Sequence, residues 1–162
     1  MSTLKIDNAF IEALTGEDDL GRVVRAHIHV ESTLIDFINE KLSDLKTLSR
    51  LRYSQRVELA CELGLNDELK EPLKVLGEIR NDFAHKINAE LSKQKVDRFL
   101  NSFDRALQDF FQTLYESSGS PMLERCPKFL DLSPRDMFTI MVTALKARVV
   151  VELYNTKCTS AP

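Results

Sequence analysis

The stretch over residues 18–43 constrains the fold more than any other feature of this sequence, because its apolar residues recur at helical spacing. An acidic cluster, Glu17, Asp18 and Asp19, opens it, and acidic residues favour a helix N-terminus through the helix dipole. The stretch therefore predicts one long helix near the N-terminus. With only five glycines and five prolines, the whole chain has few turn residues, so long helices are favoured over sheets.

The rest of the sequence predicts further helices separated by short loops. Pro72 and Pro134 lie where a first helical turn tolerates a missing N–H group, and Gly64 follows an apolar run as a stop. The predicted additional helices cover residues 7–14, 53–63, 71–86, 92–116 and 134–154. We therefore predict an all-α bundle of five or six helices with a loop over 121–132.

One domain is expected from the size of the chain. At 162 residues and 18.5 kDa, it can bury a core without metal or disulfide support. We predict a single helical domain over 1–162, with an N-terminal arm at 1–16 and a flexible tail at 156–162.

The cysteines and the N-terminus indicate the cellular compartment. Cys61, Cys126 and Cys158 are odd in number and far apart, a pattern typical of reduced thiols that offers no zinc site. The N-terminus has no apolar targeting segment, and no apolar run approaches membrane-spanning length. We expect a cytoplasmic protein without a cofactor, a bound metal or membrane contact.

The last predicted helix, 134–154, carries apolar residues around nearly its whole circumference, interrupted by Lys146, Arg148 and Glu152. Such a helix is either central in the bundle or shared with another chain. We predict an apolar C-terminal helix at the centre, and a homodimer stays open as the alternative.

Two polar residues lie in the middle of the apolar arc of the long helix. His27 and Glu31 are four residues apart, and a carboxylate among apolar side chains is costly unless a cation meets it. Arg80 falls inside the apolar arc of the helix that begins near Glu71. Our hypothesis is a buried polar lock in which Arg80 pairs with Glu31 and His27 lies nearby as a satisfied core histidine. The helical projection places Arg22 and His29 on the solvated face.

A basic run between two predicted helices is the one candidate for phosphate contact. It contains Lys46, Arg50, Arg52 and Arg56 and no acid. Four such charges provide at most non-specific contact to phosphate or to a partner, without base-reading logic, and a solvated connecting loop is the favoured interpretation. The net charge of −3, the pI near 5.7 and the lack of a helix-turn-helix argue against direct DNA binding.

The segment EIRNDFAHK, residues 78–86, places Arg80, Asn81 and His85 within six positions. This R-x4-H pattern resembles the signature of the HEPN superfamily of small helical bundles. A wider match is more specific: DDLGRVVRAHIHVESTLIDFI (18–38) followed by LKEPLKVLGEIRNDFAHK (69–86) resembles the mannitol operon repressor family of bacterial regulators. That likeness extends over about residues 15–155.

The resemblance implies two different functions. HEPN ribonucleases cleave RNA without metal at a dimer cleft, which would make His85 a general acid or base, Arg80 a phosphate clamp and Asn81 an orienting group. The mannitol repressor branch implies transcriptional control of a sugar-alcohol uptake operon without a recognisable DNA-binding motif. Because the projection turns Arg80 inward and no triad surrounds His85, we expect a non-enzymatic regulator that contacts a protein partner. The alternative is a HEPN-type ribonuclease or RNA-binding module.

Overall fold

The computed structural model describes residues 8–42 and 48–159, which form seven α-helices and no strand. The prediction of an all-α fold is confirmed, and the number of α-helices exceeds the predicted five or six by at least one. The helices are α1 Asn8–Thr15, α2 Asp19–Lys41, α3 Tyr53–Glu62, α4 Lys70–His85, α5 Lys93–Asn101, α6 Arg105–Ser117 and α7 Pro134–Thr159. Short 3-10 turns lie at Leu48–Arg50, Asp67–Leu69, Pro121–Glu124 and Phe129–Asp131.

The additional helix arises because the segment predicted as one helix over 92–116 is two, α5 and α6. Asp104 is extended between them, and its side chain accepts a hydrogen bond from the backbone N–H of Leu107 at 2.8 Å. The Ser102 hydroxyl donates to the carbonyl of Phe99 at 2.6 Å and closes the end of α5. Short polar side chains that bond to the local backbone favour such a break over a continuous helix.

Helix α7 packs along α2 and also contacts α1, α5 and α6. Its first half is buried from Met137 to Leu145 apart from Ile140, whereas Val149 is the one buried position over 146–153. A helix that is apolar around its whole circumference is therefore not confirmed. Helix α7 also continues to Thr159, so positions 156–159 of the predicted tail are helical, and positions 160–162 lie outside the described residues.

The buried face of α2 is rotated from the predicted one. Arg22, predicted to be solvated, is 5% exposed, and its Nη1 donates to Thr139 Oγ1 of α7 at 2.8 Å. The apolar residues Leu20 and Ile28 of the same helix are 50% and 56% exposed. His29 is exposed, as predicted. A buried guanidinium is tolerated at this position of α2 because Thr139 of α7 accepts a hydrogen bond from it. The periodicity of α2 alone does not reveal an acceptor that lies on another helix.

Helices α3 and α4 meet where Gly77 allows a close approach. A Cβ atom at Gly77 would lie 2.7 Å from the ring of Tyr53, so only glycine leaves room for that ring. The Tyr53 hydroxyl donates to the carbonyl of Leu73 at 2.9 Å, one turn earlier in α4. This contact fixes the first turn of α3 against the middle of α4. In the described part of the chain, none of the helices combines the length and apolarity needed to cross a membrane.

Candidate functional site: a polar cavity between α3 and α4

Glu31 on α2 is bound by Arg56 of α3. Arg56 Nη1 lies 2.5 Å from Glu31 Oε1, and Arg56 Nε donates to the carbonyl of Leu48 at 3.2 Å. The side chains of Arg56 and Glu31 are 14% and 20% exposed. The predicted pairing of Glu31 with Arg80 is therefore wrong. The prediction of Arg56 as a phosphate contact is also not supported, because its charge is paired with Glu31 inside the bundle.

His27 is buried below this pair, with a side chain only 2% exposed. Its Nδ1 lies 3.7 Å from Glu31 Oε2, and its ring lies 4.3 Å from the Tyr53 ring. Burial, together with the charges of Arg80 and Arg56, lowers the pKa of His27 to about 4. The imidazole is thus neutral at neutral pH, and its contact with Glu31 is not an ion pair. Among the described residues, Nε2 has no hydrogen-bond partner, which corrects the expectation of a satisfied core histidine.

A cavity of about 720 Å³ opens between α3 and α4, with His27 of α2 in its wall. The first turn of α3 contributes Tyr53 and Gln55, and the preceding Arg52 also lines it. From α4, Lys74, Arg80 and Asn81 line the opposite side. Polar and charged side chains therefore line the cavity, with cationic groups from α4 and from the residue that precedes α3.

The two acidic residues of the cavity wall are paired. Glu58 binds both Lys70 and Lys74, each at 2.6 Å, and these contacts lower the pKa of its carboxyl group. Glu78 pairs with Arg98 of α5.

Arg80 has no such carboxylate partner within the described ranges. Its Nη1 donates to the neutral amide oxygen of Asn81 at 3.0 Å, and its side chain is half-buried. The guanidinium therefore keeps its charge directed at the cavity, where it acts on the imidazole of His27 and on the Tyr53 hydroxyl. The pKa of Tyr53 is raised, chiefly by burial.

The structure brings together some of the predicted site residues and separates others. His27, Arg52, Arg80 and Asn81 share the cavity, whereas His85 at the end of α4 is exposed and does not line it. Arg50 is exposed and does not line the cavity, and Lys46 lies outside the described residues.

Sequence reasoning missed the contribution of Tyr53 to this site. Gly77 offered a signal for it, since a glycine inside a helix costs about 1 kcal/mol relative to alanine and often marks close packing. The glycine indicates that something approaches α4, but not which ring does.

No cluster of three or more His, Cys, Asp or Glu side chains in the described part of the chain is arranged to hold a metal ion. What the cavity offers is charge and hydrogen bonding: a guanidinium, an amide, an imidazole nitrogen and the first turn of α3. In comparisons with models of protein families, with curated proteins and with solved structures, nothing matches this chain.

Proposed function

We propose that this protein is a bacterial transcriptional regulator that acts by binding a protein partner and breaks no covalent bond. The proposal draws on the resemblance of residues 18–38 and 69–86 to the mannitol operon repressor family. On that basis the regulated operon encodes uptake of a sugar alcohol.

An exposed apolar stripe on α2 is the observation that carries the proposal. Leu20 and Ile28 lie two turns apart on one face and are 50% and 56% exposed, and the half-buried Val24 lies between them. Apolar side chains grouped on one helix face favour burial against another protein. This stripe is the surface that we assign to the partner.

The distribution of charge supports partnered rather than direct recognition of DNA. Of the basic run, Arg56 is held by Glu31, which leaves Arg50 and Arg52 exposed in the described residues. Two arginines on a chain with a net charge of −3 offer little phosphate affinity, which depends on many cationic contacts.

A repression assay tests the stripe. Leu20→Asp together with Ile28→Asp should raise expression from a mannitol-uptake operon reporter by about tenfold, because the charges oppose burial at the interface. Leu130→Asp is the matched control, since Leu130 is 61% exposed elsewhere on the surface. Circular dichroism verifies that each variant is folded. Unchanged repression by a folded double variant, or equal loss in the control, contradicts the proposal.

A HEPN-type ribonuclease or RNA-binding module is the second candidate, and one observation favours it. Arg80 is not bound to Glu31, has no carboxylate partner among the described residues and lies beside Asn81 at the cavity, as a phosphate clamp requires. Against it stands the position of His85, outside the cavity that Arg80 lines. A nuclease of this kind would have to join Arg80 of one copy to His85 of another.

A further inference from the structure

The wall of the cavity between α3 and α4 contains a buried polar atom that has no partner among the described residues. His27 is almost fully buried and lines the cavity, and its Nε2 forms no hydrogen bond with any described residue. Buried nitrogen atoms are nearly always hydrogen-bonded, because leaving one unpaired costs the free energy of its desolvation. The imidazole of His27 is therefore suited to a ligand that forms a hydrogen bond with Nε2.

The surroundings of His27 define which partner fits. Its Nδ1 faces the carboxylate of Glu31 at 3.7 Å, which favours the tautomer with the proton on Nδ1. Nε2 then carries a lone pair that has no donor among the described residues. Because burial lowers the pKa of His27 to about 4, the ring stays neutral and keeps this lone pair at neutral pH. The complementary ligand group is a hydroxyl donor.

The opposite side of the cavity selects an anion. Arg80 donates only to the neutral Asn81 within residues 8–42 and 48–159, whereas the carboxylates of Glu58 and Glu78 are paired with lysine and arginine. The first turn of α3, whose N–H groups have no intrahelical acceptors, borders the same space through Tyr53 and Gln55. Guanidinium and helix N-terminus both favour a phosphate or carboxylate group.

We propose that this cavity binds a small organic anion that carries a hydroxyl group, with the anion on Arg80 and Asn81 and the hydroxyl on Nε2 of His27. A volume of about 720 Å³ accommodates such a molecule and lies within the range of small-molecule sites. The site is distinct from the apolar stripe on α2. Ligand binding to this cavity is measured on the purified chain, independently of the repression assay. Either proposal can therefore fail while the other stands.

Calorimetric titration of the full chain tests the proposal with four probes. Glycerol 3-phosphate and glycerate carry both groups, inorganic sulfate carries only the charge, and glycerol carries only hydroxyls. We expect at least one of the first two to bind with a Kd below about 1 mM, and both single-feature probes to bind at least about tenfold more weakly. A short RNA oligonucleotide is titrated in parallel.

Three variants locate the binding. Arg80→Gln should weaken it by at least about tenfold, because it removes the charge that meets the anion. Arg50→Gln is the control, since it removes an equal charge from an exposed residue that does not line the cavity. Gly77→Ala should also weaken binding, because its Cβ displaces the Tyr53 ring, which lines the cavity.

The contact between the ligand hydroxyl and His27 is measured by NMR at the imidazole itself. Binding of the tighter probe should shift the ¹⁵N resonance of His27 Nε2 and leave that of the exposed His29 in place, a readout that does not require a His27 variant to fold. The proposal is overturned if neither hydroxylated anion binds with a Kd below about 1 mM, if inorganic sulfate binds as tightly as the hydroxylated anions, or if Arg50→Gln acts like Arg80→Gln. Binding of RNA alone, lost in Arg80→Gln, also overturns it and favours a nucleic-acid site.

Discussion

At the scale of single residues, the arrangement depends on which arginine neutralises Glu31. The partly buried carboxylate of Glu31 on the long helix is bound at 2.5 Å by Arg56 of α3, whereas Arg80 of α4 donates to Asn81. Because Arg56 supplies the counter-charge, Arg80 is left to face the cavity. The anion site that we propose in the cavity depends on this pairing of Arg56 with Glu31.

Stability measurements distinguish the two arginines. Arg56→Met should lower the free energy of unfolding by about 2 kcal/mol or more, because it leaves Glu31 largely buried without a cation. Arg80→Met should cost less than about 1 kcal/mol, since its partner is a neutral amide at the surface. Urea denaturation at neutral pH compares them. Equal costs, or a larger cost for Arg80→Met, would restore Arg80 as the partner of Glu31.

His27 predicts a dependence of stability on pH. Its pKa is about 4 in the folded protein, against an ordinary histidine value of 6.5, so the unfolded chain takes up the proton first as the pH falls. The contribution of His27 is complete above pH 6.5 and is lost progressively between pH 6.5 and pH 4. The loss amounts to about 3 kcal/mol, at about 1.4 kcal/mol for each pH unit.

Two glutamine variants isolate this effect. His27→Gln removes the titrating group, so its stability should fall about 3 kcal/mol less than the wild type over that interval. His29→Gln removes an exposed imidazole and should follow the wild type. Urea unfolding at pH 7, 5.5 and 4 provides the values. Parallel curves for the wild type and His27→Gln would show that the imidazole is not desolvated.

At the scale of elements, periodicity and caps predicted most of the helices, but not the break between α5 and α6. The predicted ranges 18–43, 53–63 and 71–86 correspond to α2, α3 and α4 within a few residues. Apolar spacing continues across Ser102–Asp104, so the pattern favours one helix there. The competing signal is weaker: Asp104 can bond to the backbone N–H of Leu107 and start a new helix.

The cap at Asp104 carries a measurable prediction. Asp104→Ala should lower the free energy of unfolding by about 1 kcal/mol, because the N–H of Leu107 loses its acceptor. Asp109→Ala is the control: Asp109 lies in the same helix, and its side chain is 72% exposed. Thermal unfolding followed by circular dichroism compares the two variants. An equal loss in both would mean that Asp104 contributes only its charge.

At the scale of the whole molecule, the fold class was predictable and the site was not. Helix-forming patterns are local, whereas the cavity requires α2, α3 and α4 to meet, and no local pattern specifies that His27, Tyr53 and Arg80 converge. The inward direction of Arg80 was inferred from one helix alone. In the structure Glu31 is paired with Arg56 of another helix, and Arg80 lines the cavity instead.

Separation of Arg80 from His85 is the feature of the whole molecule that bears most directly on function. The guanidinium lines the cavity, and the imidazole lies exposed beyond it at the end of α4. A ribonuclease of the HEPN type would bring these two side chains together at a cleft between two chains. We propose binding, rather than RNA cleavage, as the role of this protein.

Incubation of the purified protein with labelled RNA in the absence of metal tests that claim most directly, with His85→Ala and His29→Ala measured beside the wild type. We predict that the wild type leaves the RNA intact, at the same background rate as both variants. Cleavage by the wild type that persists in His29→Ala and is abolished in His85→Ala would contradict the account.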